Sequence, residues 1–237
     1  IGPVTTSVTK LQDRKNNNLW LYFGTGRFFY KQDDPSTQQK LYGLKEPCYS
    51  SSVRTFQTPV AGGTYNDLDQ NCTDIVVDTI LNPIVNQSGD SSTAPATSIA
   101  TTASGWYVSL DATTSAQNAE RVITDPIAAG NGAVFFTTFK PSADICKFGG
   151  DSLIWALRYD TGGTPPAAAM KGRALMQVST GAFAEITLST AFRNPGDMRY
   201  DGRRLSAPIS GVPPTAQGLS LLTNPQPTKR LLHLMEK

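Results

Sequence analysis

Residues 132–162 constrain the fold more than any other part of this chain. Positions 134–139 are Val, Phe, Phe, Thr, Thr and Phe, and positions 153–159 repeat that chemistry with Leu153, Ile154, Trp155, Leu157 and Tyr159. Side chains that branch at Cβ or carry a flat ring pack well on a pleated surface and lose rotamer freedom in a helix, so the pattern predicts two strands. The connection between them holds Pro141, Ser142, Asp144, Cys146, Gly149 and Gly150, which is turn chemistry. Residues 19–23 predict a further strand that ends in Gly24-Thr25-Gly26 and directs Arg27, Phe28 and Phe29 outward. The two glycines mark a tight turn or bulge where another backbone approaches closely.

Composition supports an all-β reading. The chain of 237 residues has 20 glycines and 16 prolines, 39% hydrophobic residues and 17% charged ones, which suits a packed protein with many turns. No apolar run reaches the length of about 18 residues that a spanning helix needs. A net charge of +2 with interspersed signs gives no basic stripe for nucleic acid. Arg203-Arg204 and Lys229-Arg230 are isolated basic pairs, expected as solvated loop charges. The chain opens Ile-Gly-Pro, which reads as a processed product, a trimmed chain or a fragment.

Strands are also expected at 3–10, 39–44, 105–110, 119–126, 174–178, 186–189 and 228–235. The four stretches 105–110, 119–126, 132–139 and 153–159 are expected to form one sheet joined by hairpins. The total of about twelve strands amounts to about three propeller blades of four strands, and propellers close with 4–8 blades. The expected fold is therefore all-β, the C-terminal part of an irregular β-propeller forming one partial domain over 1–237. Its insertion spans 48–104, and its Pro- and Gly-rich tail, 194–237, wraps the surface over 194–227. Within the insertion, Leu68, Cys72, Ile75, Val76, Thr79 and Ile80 recur at helical spacing and predict a short helix over 67–81. Residues 86–104 read as a Ser/Thr/Ala-rich exposed loop. Trp20, Trp106 and Trp155 are expected to fill blade cores.

Candidate chemistry is sparse. Asp67-x-Asp69-x-Asn71, with Asp78 at the twelfth position, imitates a calcium loop, but Cys72 stands where an EF-hand needs glycine and Asp74 where an apolar residue belongs. Asn66, Asp67 and Asp69 suit capping and the dipole at a helix start instead. Asn71-Cys-Thr and Asn86-Gln-Ser match the glycosylation acceptor pattern. Of three cysteines, Cys48 and Cys72 flank a Ser/Gly-rich loop and are the favoured disulfide pair, which would stabilise by about 3 kcal/mol in the chain-entropy picture. The alternative leaves all three reduced and buried, and Cys146 is the odd thiol in the paired case. One histidine, His233, builds no Ser-His-Asp triad unaided, and no nucleophile elbow, phosphate loop or zinc spacing occurs. Gly24-Thr25-Gly26 lacks the third glycine and following helix of a dinucleotide loop.

Six motifs in order resemble the C-terminal domain of the PilC/PilY family of type IV pilus tip-associated adhesins. They are Phe-Gly-Thr-Gly-Arg-Phe-Phe at 23–29, Leu-Tyr-Gly-Leu at 41–44, Gly-Trp-Tyr-Val-x-Leu at 105–110, Glu-Arg-Val-Ile-Thr-Asp-Pro at 120–126, Val-Phe-Phe-Thr-Thr-Phe-x-Pro at 134–141, and Cys146-x-x-Gly-Gly150 before an aromatic strand. The resemblance covers residues 19 to about 162. It implies a modified β-propeller with irregular blades, from a secreted factor of the periplasm and cell surface that promotes pilus biogenesis and surface attachment. It also implies no enzymatic activity and no cofactor in this chain, the family's calcium loop falling upstream of residue 1. The expected partners are the N-terminal remainder of the propeller, which supplies strands to the free edges here, and the minor pilins of the pilus tip. Two other readings stay open. One is a quinoprotein-like propeller oxidoreductase fragment. The other is a carbohydrate- or protein-binding module using Tyr30, Tyr49, Phe56 and Tyr65.

Overall fold

The computed structural model describes residues 2–13, 15–29, 33, 35–46, 49–50, 55–56, 84–89, 94–100, 103–144, 149–177, 183–192, 197–211, 213–214 and 219–222. Among the described residues its regular elements are strands apart from one short helix, so the all-β class read from composition holds. The first sheet has five strands: β1 (Thr9–Gln12), β2 (Leu19–Gly24), β3 (Lys40–Lys45), β7 (Gly105–Ser109) and β6 (Ile84–Asn86), in that order. All its pairings are antiparallel except β6 with β7, which run parallel. A two-residue pair, β4 (Tyr49–Ser50) and β5 (Thr55–Phe56), stands apart.

The second sheet carries the two strands that residues 132–162 predict. They are β10 (Ala133–Pro141) and β11 (Gly150–Arg158), paired antiparallel over their full length with Phe136 opposite Trp155. β14 (Ile209–Gly211) adds beside β11, while β8 (Arg121–Val122) and β9 (Ile127–Ala129) add beside β10. A third sheet holds β13 (Phe183–Thr187), β12 (Arg173–Gln177) and β15 (Leu219–Leu222). One short helix, α1 (Leu188–Ala191), follows β13.

The second sheet lies between the other two, which explains its sequence. Successive side chains on a strand face opposite ways. Val134, Phe136, Trp155 and Leu157 therefore enter a core with Trp20, Tyr22, Leu41, Trp106 and Val108 of the first sheet. Their neighbours Phe135, Ile154 and Ala156 face the third sheet and pack with Ala174, Met176, Ile186 and Leu219. A strand covered on both faces needs apolar residues at every position rather than at alternate ones, and β10 is buried along its whole length. By contrast β2, covered on one side, alternates buried and half-buried residues.

Several expectations change. Residues 105–110 and 132–159 do not share a sheet: β7 pairs with β3, which places Trp106 and Val108 in the core between the first and second sheets. The strand at 119–126 shrinks to β8, with β9 starting just after it, since Glu120 and Thr124 turn inward to bond other elements. The strand at 3–10 begins only at Thr9, and that at 186–189 is shifted, running from Phe183 to Thr187 as β13 with α1 taking over at Leu188. The tail does not simply wrap the surface. It contributes β14 and β15, and Tyr200, Arg203 and Leu205 are buried. Within 86–104, Gln87 and Ala103 are buried as well. Trp20, Trp106 and Trp155 are all in the core, as expected. No sheet closes on itself among the described residues. The helix at 67–81, the strand at 228–235, all three cysteines (Cys48, Cys72, Cys146), Asp67, Asp69, Asn71 and His233 lie outside the described residues.

Candidate functional site: a buried ionic joint between the sheets

The two glycines at the end of β2 and in the turn after it, Gly24 and Gly26, meet the Glu-Arg-Val-Ile motif across the gap between the first and second sheets. A Cβ on Gly24 would overlap the Val122 side chain, and one on Gly26, whose φ is +140°, would come within 2.5 Å of Arg121 Cβ. That closeness lets the Val122 N–H donate to Thr25 O at 3.0 Å and Arg121 Nη1 donate to Arg27 O at 2.9 Å. The glycines thus have the role of admitting another backbone.

Beyond this seam the chain gathers four charges. Glu120, with 0% exposure, accepts from Thr138 Oγ1 and, at 2.8 Å, from Trp155 Nε1. Asp111 accepts from Tyr200 Oη, and pairs with Lys140 Nζ at 3.0 Å and Arg204 Nη1 at 2.8 Å. Arg204 Nη1 also lies 3.5 Å from Glu120, and the guanidinium sits over the Tyr200 ring at 3.9 Å. Two carboxylates thus face two cations, and most of their hydrogen-bonding capacity is used inside the protein. Arg203, next in sequence, points the other way. It is fully buried without a carboxylate and donates to the carbonyls of Gln87 (2.7 Å), Gly162 (3.2 Å) and Ser88 (3.3 Å). Burial pushes its pKa down to about 10.

The expectation that Arg203-Arg204 are solvated loop charges is therefore overturned. The turn at 197–203 hydrogen-bonds along β11, with the Ala156 N–H donating to Arg203 O and the Leu205 N–H to Ile154 O. Consecutive residues then reach different partners, Arg203 the segment after β6 and Arg204 the 111–140 cluster. No local pattern announces this, because both partners lie far away in the chain. The only signal is that the two arginines stand between Tyr200 and Leu205.

The cluster is chemically quiet. It contains no serine or cysteine beside a base, and what it does is hold loops to strands. Burial alone would raise the Asp111 pKa, but the Arg204 charge, the Tyr200 hydrogen bond and Lys140 outweigh it and hold the carboxyl at about 2. Burial, reinforced by Asp111, raises the Tyr200 phenol. In the unfolded chain Asp111 returns to its ordinary value of 3.8. Its contribution is thus fully present above about pH 4 and is lost as pH falls towards 2. On the order of 1–2 kcal/mol should disappear in that window, allowing for solvent at the partly exposed carboxylate. Urea unfolding between pH 5 and pH 2.5 checks this: Asp111→Asn should flatten the decline, and identical slopes would show that Asp111 is not its source.

Among the described residues no group of three or more His, Cys, Asp or Glu side chains could hold a metal, and no helix is long and apolar enough to cross a membrane. Of the aromatic platform considered, Tyr49 is half-buried, with its hydroxyl accepting from Gln12 Nε2 at 2.9 Å. Tyr30 and Tyr65, like the Phe56 side chain, lie outside the described residues.

No protein-family model matches the chain. Two curated proteins of Xylella fastidiosa (strain Temecula1), each described as "Type IV pilus biogenesis factor PilY1 homolog", are similar in sequence. One is 26% identical over 162 residues, 68% of this chain and 12% of its own length. The other is 29% identical over 152 residues, 60% of this chain and 9% of its own length. The chain thus spans only a small part of these relatives. Among solved structures, the crystal structure of the Pseudomonas aeruginosa PilY1 C-terminal domain aligns with 94% of this chain and 45% of that one, at 16% identity and a TM-score of 0.48. The two sequence matches bear out the resemblance carried by the motifs: the chain is similar to type IV pilus biogenesis factors of the PilY1 kind.

Proposed function

We propose that this chain serves type IV pilus biogenesis as a non-enzymatic, structural part of a pilus-tip protein of the periplasm and cell surface, and that it promotes attachment there. The observation that carries the reading is the coincidence of two facts. The sequence is similar to proteins named for pilus biogenesis, and two of the motifs that carry the resemblance, at 23–29 and 120–126, form the seam between sheets. A part whose distinguishing residues join layers to one another is a scaffold. Three sheets stacked face to face also support an irregular propeller, since successive blades pack in that way. β1 and β6 form the edges of the first sheet, and an edge strand is where a strand from the rest of the parent protein, or from a minor pilin, would add.

Deleting the coding region for this chain from its gene in the source bacterium tests the proposal. The expected result is loss of surface pili and of attachment, restored by the intact gene in trans. Normal piliation and attachment in the deletion strain would overturn it.

A further inference from the structure

Beside the Trp20 end of the first core, the turn at 13–18 faces the turn at 158–161 across an open cavity of about 440 Å³. The two turns are pinned together from behind. Tyr159 Oη donates to Asp13 Oδ1 at 3.1 Å, and Asp13 in turn accepts from the Lys15 N–H and from Asn16 Nδ2. Three cations line the space, Lys15, Lys45 and Arg158, against one carboxylate, Asp160. Asp160 holds Arg158 Nε (2.7 Å) and Nη2 (3.3 Å), which fixes the guanidinium and leaves Nη1 without a hydrogen-bond partner among the described residues. Lys45 is anchored to Ala103 O at 2.7 Å and lies 5.7 Å from the Trp20 ring. Burial lowers its pKa, with the Asp13 charge opposing that shift.

Trp20 forms part of the lining. It is 2% exposed, and its indole Nε1 has no hydrogen-bond partner. Most buried indole N–H groups find one, and an unsatisfied buried donor costs about 1–3 kcal/mol. The remaining wall is rich in amide and hydroxyl groups, from Asn16 and Asn18 to Ser98. The volume exceeds what an inorganic anion fills and lies in the range of small-ligand sites.

We propose that this cavity binds an acidic sugar residue. Lys15 and Arg158 take the carboxylate, and the amides and Ser98 take ring hydroxyls, with the ligand lying beside the Trp20 side chain. The inference stands on the cavity alone and does not depend on the pilus assignment.

Nuclear magnetic resonance on the full 237-residue chain tests it, with the Trp20 indole signal assigned by its loss in Trp20→Phe. Titrants are glucuronate, galacturonate and N-acetylneuraminate, against galactose, acetate and inorganic phosphate. A saturable shift of that signal at millimolar concentration with at least one acidic sugar, and with none of the other three, is expected. Lys15→Ala and Arg158→Gln, both changes at accessible side chains, should each weaken binding about tenfold without altering the rest of the spectrum. Absence of a shift with all three acidic sugars would overturn the proposal. So would equal shifts with galactose, acetate or phosphate, or unchanged affinity in both variants.

Discussion

Replacing Arg204 with methionine should lower the free energy of unfolding by about 3 kcal/mol. The guanidinium touches both buried carboxylates, Asp111 at 2.8 Å and Glu120 at 3.5 Å, and caps the rings of Tyr200 and Trp155. Methionine keeps much of the packing but leaves two negative charges facing each other with only Lys140 as a counter-charge. The cost belongs at the lower end of the range for a broken buried pair because Asp111 retains Lys140 and Tyr200, and Glu120 retains Thr138 and Trp155. Arg204→Lys should recover little, since a single ammonium lacks the planar fork that stacks on Tyr200 while pairing with both acids. Removing the exposed partner of Glu185, by Arg173→Ala, should change stability by under about 0.5 kcal/mol. Urea denaturation of the three variants decides the matter. Equal midpoints for Arg204→Met and the parent would show that the joint is held by packing rather than by charge.

Trp106→Ala is expected to cost about 3–5 kcal/mol. The indole lies fully buried between the first and second sheets, edge-on to Phe136 at 6.5 Å and near Tyr22 at 6.2 Å. Its N–H donates to Tyr159 O at 3.0 Å, and the same carbonyl accepts from Tyr22 Oη at 3.1 Å. Gly43 on the paired strand and Gly162 in the turn after β11 leave room for this ring, so the surroundings are shaped to it and have little freedom to collapse onto alanine. Trp106→Phe should cost distinctly less, since it keeps a ring in the space and loses chiefly one hydrogen bond. Thermal and urea unfolding measure both. A loss below about 1 kcal/mol for the alanine variant would mean that this interface is not part of the stability core.

Much of the strand framework was legible before any coordinates. β2, β3, β7, β10, β11 and β12 fall within a few residues of their expected places, because each is a run of β-branched and aromatic residues bounded by turn formers. Gly24 and Gly26 were readable as points of close approach for the same local reason: no other residue explains two glycines at the end of an apolar strand. The ends of elements were less readable. Residues 119–126 alternate like a strand, yet Glu120 leaves the ladder because Trp155 and Thr138 offer it buried donors.

What the sequence alone determined was the secondary structure and the all-β class. These follow from side-chain shape and two-residue periodicity, which are local properties. The tertiary structure decided which strands share a sheet, that the second sheet is covered on both faces, and that Arg203 and Arg204 are internal struts rather than solvated charges. Those outcomes depend on groups tens of residues apart, such as Arg203 with Gln87 and Arg204 with Asp111. A buried charge is stable only where its partners are delivered to it, and no local pattern of residues specifies that delivery.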